Sequence, residues 1–141
     1  YAMKNLRNAY CNIIFMGENG GFKDVKDLIK QIKAMIIYSK CNRYIVIGFH
    51  KCNAVIPNMK RMYEMEDSLQ QAFGNHYLCI RKPLVQKGLQ FANLQATKVD
   101  EDSVRKGVVP PQLLVDGLHF TSKGYEFIGY LVSQKMKELE Y

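Results

Sequence analysis

Nowhere is the 141-residue chain apolar for anything near the roughly 20 residues needed to cross a bilayer. The longest such run is the short stretch from Tyr44 to Phe49, so a membrane span is excluded. The first residues also lack the charged-then-apolar pattern of a secretory signal. Because the chain opens on Tyr1 rather than Met, it is expected to be part of a longer polypeptide, which leaves cytoplasm and secretion both open as its location. No CxxC pair or zinc-type spacing links Cys11, Cys41, Cys52 and Cys79. Cys11 and Cys79 lie in or beside apolar runs where a thiol behaves as a small hydrophobe, and four free thiols are expected. His50 and Cys52 alone are too few for a metal site. No Gly-Lys-Ser/Thr follows a glycine-rich turn, which excludes a P-loop, so neither a metal nor a nucleotide cofactor is expected. Acidic residues are missing from Leu28 to Met62, a segment that carries Lys30, Lys33, Lys40, Arg43, Lys51, Lys60 and Arg61. The net charge of +7 favours encounter with polyanions. These basic residues nevertheless fall on solvated helix faces and loops without a recognition motif, so nucleic acid is not the expected partner.

What is present suits one α/β domain spanning residues 1–141: 48% of residues are hydrophobic and 23% charged, with no repeat, low-complexity tract or linker. Three runs rich in β-branched and aromatic residues, Asn12 to Met16, Tyr44 to Phe49 and His76 to Ile80, read as buried strands. Their nearly continuous apolar character predicts a parallel sheet covered on both faces. Helical spacing predicts crossover helices over Asp24 to Tyr38, with Asp24 as N-cap, and over Pro57 to Phe73, where Met59, Met62, Tyr63, Leu69 and Phe73 form the inner face. The connection from Lys82 to Pro111 is expected to be irregular, with short helices near Leu84 to Leu89 and Asp100 to Lys106. A last helix runs from about Thr121 to Leu139, capped by Thr121 or Ser122. The order βαβαβ, irregular stretch, α predicts a right-handed three-layer α/β/α domain.

In such a sheet ligands bind outside the carboxyl ends of the strands, which directs attention to the loops after Met16, Phe49 and Ile80. The first is Gly17-Glu18-Asn19-Gly20-Gly21, in which glycines permit a sharp turn and the Asn19 amide can donate to a developing oxyanion. A second element, Asp116-Gly117-Leu118-His119, precedes the last helix. An Asp three residues before a His in a loop can fix the imidazole tautomer and stabilise the imidazolium that forms when the His takes a proton. It can equally do no more than cap a turn.

Together these elements resemble the C-terminal two thirds of an SGNH (GDSL-like) hydrolase. The resemblance runs from IIFMGENGG through YIVIGF and HYLCIR to VPPQLLVDGLHFTSKGYEFIG, and is closest to bacterial esterase-like members with GxNGG in place of GxND. It implies a flavodoxin-like esterase fold and a small ester or acylated carbohydrate as substrate, in the manner of a carbohydrate O-deacetylase, with no cofactor. By the same resemblance Asn19 is the oxyanion-hole side chain, Gly17 and Gly20 line the substrate turn, His119 is the general base and Asp116 orients it. Gly124 and Tyr125 are structural. The chain departs from the family pattern where the family's Gly-Asp-Ser block and its oxyanion-hole glycine block should precede the GxN turn, so the nucleophile is unassigned. Ser39, Ser68, Ser103, Ser122 and Ser133 read as surface residues or caps. The isolated chain is therefore expected to be inactive; the alternative is a non-catalytic ligand-binding or assembly module. The family's sheet order also leaves the strand near Ile13 without its neighbour, an exposed apolar edge that a longer parent protein or a homo-oligomer would cover. Tyr1 to Tyr10, with Ala2, Leu6 and Ala9 as an apolar face, is expected to end a preceding helix.

Overall fold

Short strands joined by crossovers of two dozen residues or more cannot pair as hairpins, and they do not. The computed structural model describes residues 9–54 and 56–141. Its sheet contains β1 (Asn12–Phe15), β2 (Tyr44–Ile47) and β3 (Tyr77–Leu78) in that spatial order. All pair in parallel, with Ile14 opposite Val46, and Val46 opposite Tyr77. Helices α1 (Val25–Ser39) and α2 (Met59–Phe73) make the crossovers. After β3 come α3 (Arg81–Phe91), α4 (Lys98–Arg105) and α5 (Ser122–Glu138).

The two-residue period of a strand divides the core. Ile14, Val46 and Tyr77 pack with Leu28 and Ile32 of α1 and Met62, Met65 and Leu69 of α2. Ile45, Ile47 and Leu78 pack with Leu84 of α3 and Phe127 and Ile128 of α5. The result is the expected three-layer α/β/α architecture. Each fully buried aliphatic side chain contributes about 1.5–3 kcal/mol, so these two apolar layers dominate the stability. Among the described residues, no helix is long and apolar enough to cross a membrane.

Local chemistry sets the helix ends. The Asp24 carboxylate accepts the Asp27 N–H, Asn58 accepts that of Arg61, and Thr121, rather than Ser122, accepts that of Gly124. Pro57 thus lies just outside α2, because Asn58 offers the side-chain oxygen that a proline lacks. Tyr63, expected inside, is 45% exposed and lies under the Arg81 guanidinium, while Met65 takes the buried position. The third strand is shorter than its apolar run. His76 belongs to a 3-10 turn (Gly74–His76), where its ring stacks on Tyr44 and Nδ1 lies 2.9 Å from the Tyr141 hydroxyl. Ser39 is no surface residue: it is fully buried in the last turn of α1, its hydroxyl donating to the Ile36 carbonyl. The stretch after Ile80 is more helical than expected, α3 running through Pro83, which is tolerated in a first turn.

At the outer side of β1 no strand is paired among the described residues. Ile13 and Phe15 remain 50% and 39% exposed there. Most of the helix read over Tyr1 to Tyr10 lies outside the described residues; Ala9 and Tyr10 are not helical. All four cysteines are free.

One polar tie crosses the helical layers. Arg81 grips Glu66 through Nε at 2.6 Å and Nη2 at 2.7 Å, and donates from Nη1 to the Gly107 carbonyl. This nearly buried fork joins α2, the start of α3 and the loop after α4. Removing one partner of such a pair strands the other charge in a dry environment. Glu66→Ala is accordingly expected to lower the unfolding free energy by about 3–5 kcal/mol in urea titrations.

Candidate active site

Parallel strands put all their carboxyl ends on one side, and the chain's candidate chemistry gathers there. Gly17 follows β1 with φ +106°, a backbone conformation that side chains resist, and a Cβ at this position would sit 2.9 Å from the Phe49 ring. Its carbonyl accepts the Gly20 N–H at 2.9 Å, closing the turn that exposes Asn19. Asn19 makes no hydrogen bond among the described residues, so its amide is free to donate outward.

The second loop is pinned at several points before α5. Leu114 bridges Phe120 in antiparallel fashion, the Val115 N–H donates to the His119 carbonyl at 2.7 Å, and the Thr121 N–H to that of Leu113. Upstream, the buried Asp100 carboxylate accepts from the Thr97 N–H and from both the backbone and the side chain of Gln112. Burial pushes its carboxyl up, but these hydrogen bonds outweigh that and hold it below the ordinary aspartate range. Gly124, at the start of α5, is buried so closely that a Cβ would lie 2.8 Å from the Leu113 carbonyl oxygen. The helix therefore seats directly on the loop.

Within this loop Asp116 does two jobs. Oδ1 accepts the backbone N–H groups of Leu118 and His119 at 2.9 and 2.8 Å, and Oδ2 lies 2.7 Å from His119 Nδ1. The carboxylate can only accept, so Nδ1 is the donor, and in the neutral imidazole the lone pair is therefore on Nε2. The hydrogen bond from the His119 ring, seconded by those two backbone N–H groups, holds the Asp116 carboxyl well below the usual carboxylate range. Both side chains are more than half exposed, so the pair matters for orientation rather than for stability.

Gly17, Asn19 and His119 line a single depression of about 320 Å³, with Phe15, Glu18, His50, Phe120 and Tyr125 among its other walls. That volume is at the small end of ligand pockets. Gly20 is not in the wall; with φ +79° and its N–H on the Gly17 carbonyl it closes the turn. Tyr125, expected to be structural, is 53% exposed on the pocket rim, its ring edge-on to Phe120. Glu18 and His50 were not singled out for this site from the sequence. The only signal for His50 is its position just past the carboxyl end of β2. No serine, threonine or cysteine is among the lining residues. Among the described residues, no group of three or more His, Cys, Asp or Glu side chains could hold a metal ion.

Neither family models, curated proteins nor solved structures gave a match to this chain. The site has to be judged on its own geometry.

Two outcomes test the Asp116–His119 assignment. The Asp116 carboxyl is expected to stay ionised near pH 3, where an ordinary aspartate with pKa about 3.9 is mostly protonated; carbon NMR of the carboxyl against pH checks this. Its hold on the loop is then present above that ordinary value and lost only as pH falls through the depressed one. In Asp116→Asn the single remaining oxygen is claimed by the two backbone N–H groups, which turns the amide toward Nδ1 and moves the imidazole proton to Nε2. Nitrogen shifts of the His119 ring report which nitrogen is protonated.

Proposed function

We propose that this chain carries the base and oxyanion side of an SGNH-type ester hydrolase site, acting on small acyl groups borne by a carbohydrate or a similar alcohol. The observation that carries this reading is the convergence of the Asp116–His119 pair and the Gly17–Asn19 turn on one small pocket at the carboxyl end of a parallel sheet. An imidazole with Nδ1 tied to a carboxylate and Nε2 free is the arrangement that takes a proton from a nucleophile. A side-chain amide across the pocket is the kind of donor that stabilises the oxyanion of a tetrahedral intermediate. The small volume favours a short acyl group.

The nucleophile is assigned to a segment or subunit outside these residues, since the pocket wall offers no serine, threonine or cysteine. A strand added in parallel at the open edge of β1 would end beside Phe15 and Met16, which border the pocket, and would deliver a residue from its carboxyl end to His119. The same absence favours a second reading, a binding module that keeps the pocket without turning a substrate over.

Hydrolysis of 4-nitrophenyl acetate separates the two. The chain alone is expected to match its own His119→Ala variant. Joined to a Gly-Asp-Ser segment from its own reading frame it should turn over, and His119→Ala should then reduce the rate by about 10²–10⁴-fold. Saturable binding of an acylated sugar, with no turnover in either form, would favour the binding module instead.

A further inference from the structure

Asn19 and His119 stand 100 positions apart in the sequence and on loops from opposite ends of the chain, yet they face one pocket. One buried side chain touches both loops. His50, 4% exposed, donates its backbone N–H to Glu18 Oε1 at 2.7 Å, and its Nδ1 lies 2.7 Å from the same oxygen, out of line for a second hydrogen bond. On the other side, Nε2 is 2.9 Å from the Leu118 carbonyl oxygen. A carbonyl can only accept, so Nε2 is the donor. The Phe120 ring, 4.3 Å away, closes over the imidazole.

The two contacts fall on Glu18 and Leu118, the residues immediately before Asn19 and His119. Two neighbours of His50 reinforce the link: Lys51 Nζ donates to the Gly117 carbonyl, and Asn53 Nδ2 donates to the Glu18 carbonyl at 2.9 Å. Of the residues making these links, His50 is the most buried. Glu18 Oε2 and His50 Nδ1 are both buried with no hydrogen-bond partner among the described residues.

We propose that His50, anchored by Glu18, is a positioning residue of this site: it sets the separation of Asn19 from His119 by holding the residue before each. The role rests on the hydrolase reading only for the use given to Asn19 and His119; the coupling itself is a property of the folded chain.

The test follows the Asn19 side-chain amide by NMR while His119 is titrated, in the full chain. In the wild type the amide resonance is expected to move with the His119 transition. His50→Gln should preserve that response, since its terminal amide can donate to the Leu118 carbonyl. His50→Leu and Glu18→Ala should abolish it while the backbone spectrum stays dispersed. The proposal is overturned if the wild type shows no response, if the response survives Glu18→Ala, or if His50→Gln loses it as fully as His50→Leu does, which would reduce the ring to packing against Phe120. Should His50→Leu fail to fold, Glu18→Ala cuts the link from its other end and decides alone. No turnover is needed for this readout. A chain that keeps the coupling yet hydrolyses nothing when joined to a Gly-Asp-Ser segment would sink the hydrolase reading and leave the positioning role intact.

Discussion

Parallel pairing of β1, β2 and β3 is the constraint on which the rest depends. It sends each connection back across the sheet; the two crossovers, α1 and α2, cover one face, and α3 and α5 cover the other. It also places every strand's carboxyl end on one side of the sheet. The turn after β1 and the loop after β2 become neighbours there without any direct sequence relation. Had the strands been joined by hairpins, Gly17 to Gly21 and His50 to Asn53 would lie at opposite ends of the sheet and no common pocket could form.

Strands of four, four and two residues supply few ladder hydrogen bonds, so polar side chains complete the positioning. The ties differ in energetic character. Arg81 and Glu66 are removed from water together, and their fork is worth keeping mainly because either charge alone would be worse. Asp100 accepts hydrogen bonds from Thr97 and Gln112, joining α4 to the segment that leads into the His119 loop. The exposed Asp116–His119 pair adds little stability but fixes a tautomer. The burden of rigidity thus sits in buried groups, while Asp116 and His119 remain open to solvent.

That division explains what was legible in the sequence. Helix α1 is readable because both its cap, Asp24, and its apolar face are local patterns. The Asp116–His119 pair and the Gly17–Asn19 turn are readable for the same reason, each being complete within five residues. Tyr63 and His76 mislead because long-range partners decide their fate: Arg81 draws the tyrosine to the surface, and Tyr44 with Tyr141 draws the histidine into a turn that ends the strand early. Ser39 looked solvated because its polarity was legible and its packing was not. The link that joins His50 to Glu18 and Leu118 is invisible for a related reason. Its contacts span 32 and 68 positions, and no local spacing encodes a link of that length.

The openness of the pocket and the edge of β1 that no described residue pairs bear on each other. Oxyanion donors and a base are worth most where water is excluded, because there the field of each dipole is least screened. Here His119 is 65% exposed on its side chain, and the adjoining strand leaves Ile13 and Phe15 in solvent. Phe15 belongs to both features: it is part of the β1 surface and part of the pocket wall. A segment that paired with β1 would bury apolar side chains, satisfy the free backbone groups of the strand and dry the wall of the pocket in one step. On the proposed reading it would also carry the missing nucleophile. On that reading the exposed edge of β1 and the lack of a nucleophile in the pocket wall have a single physical remedy.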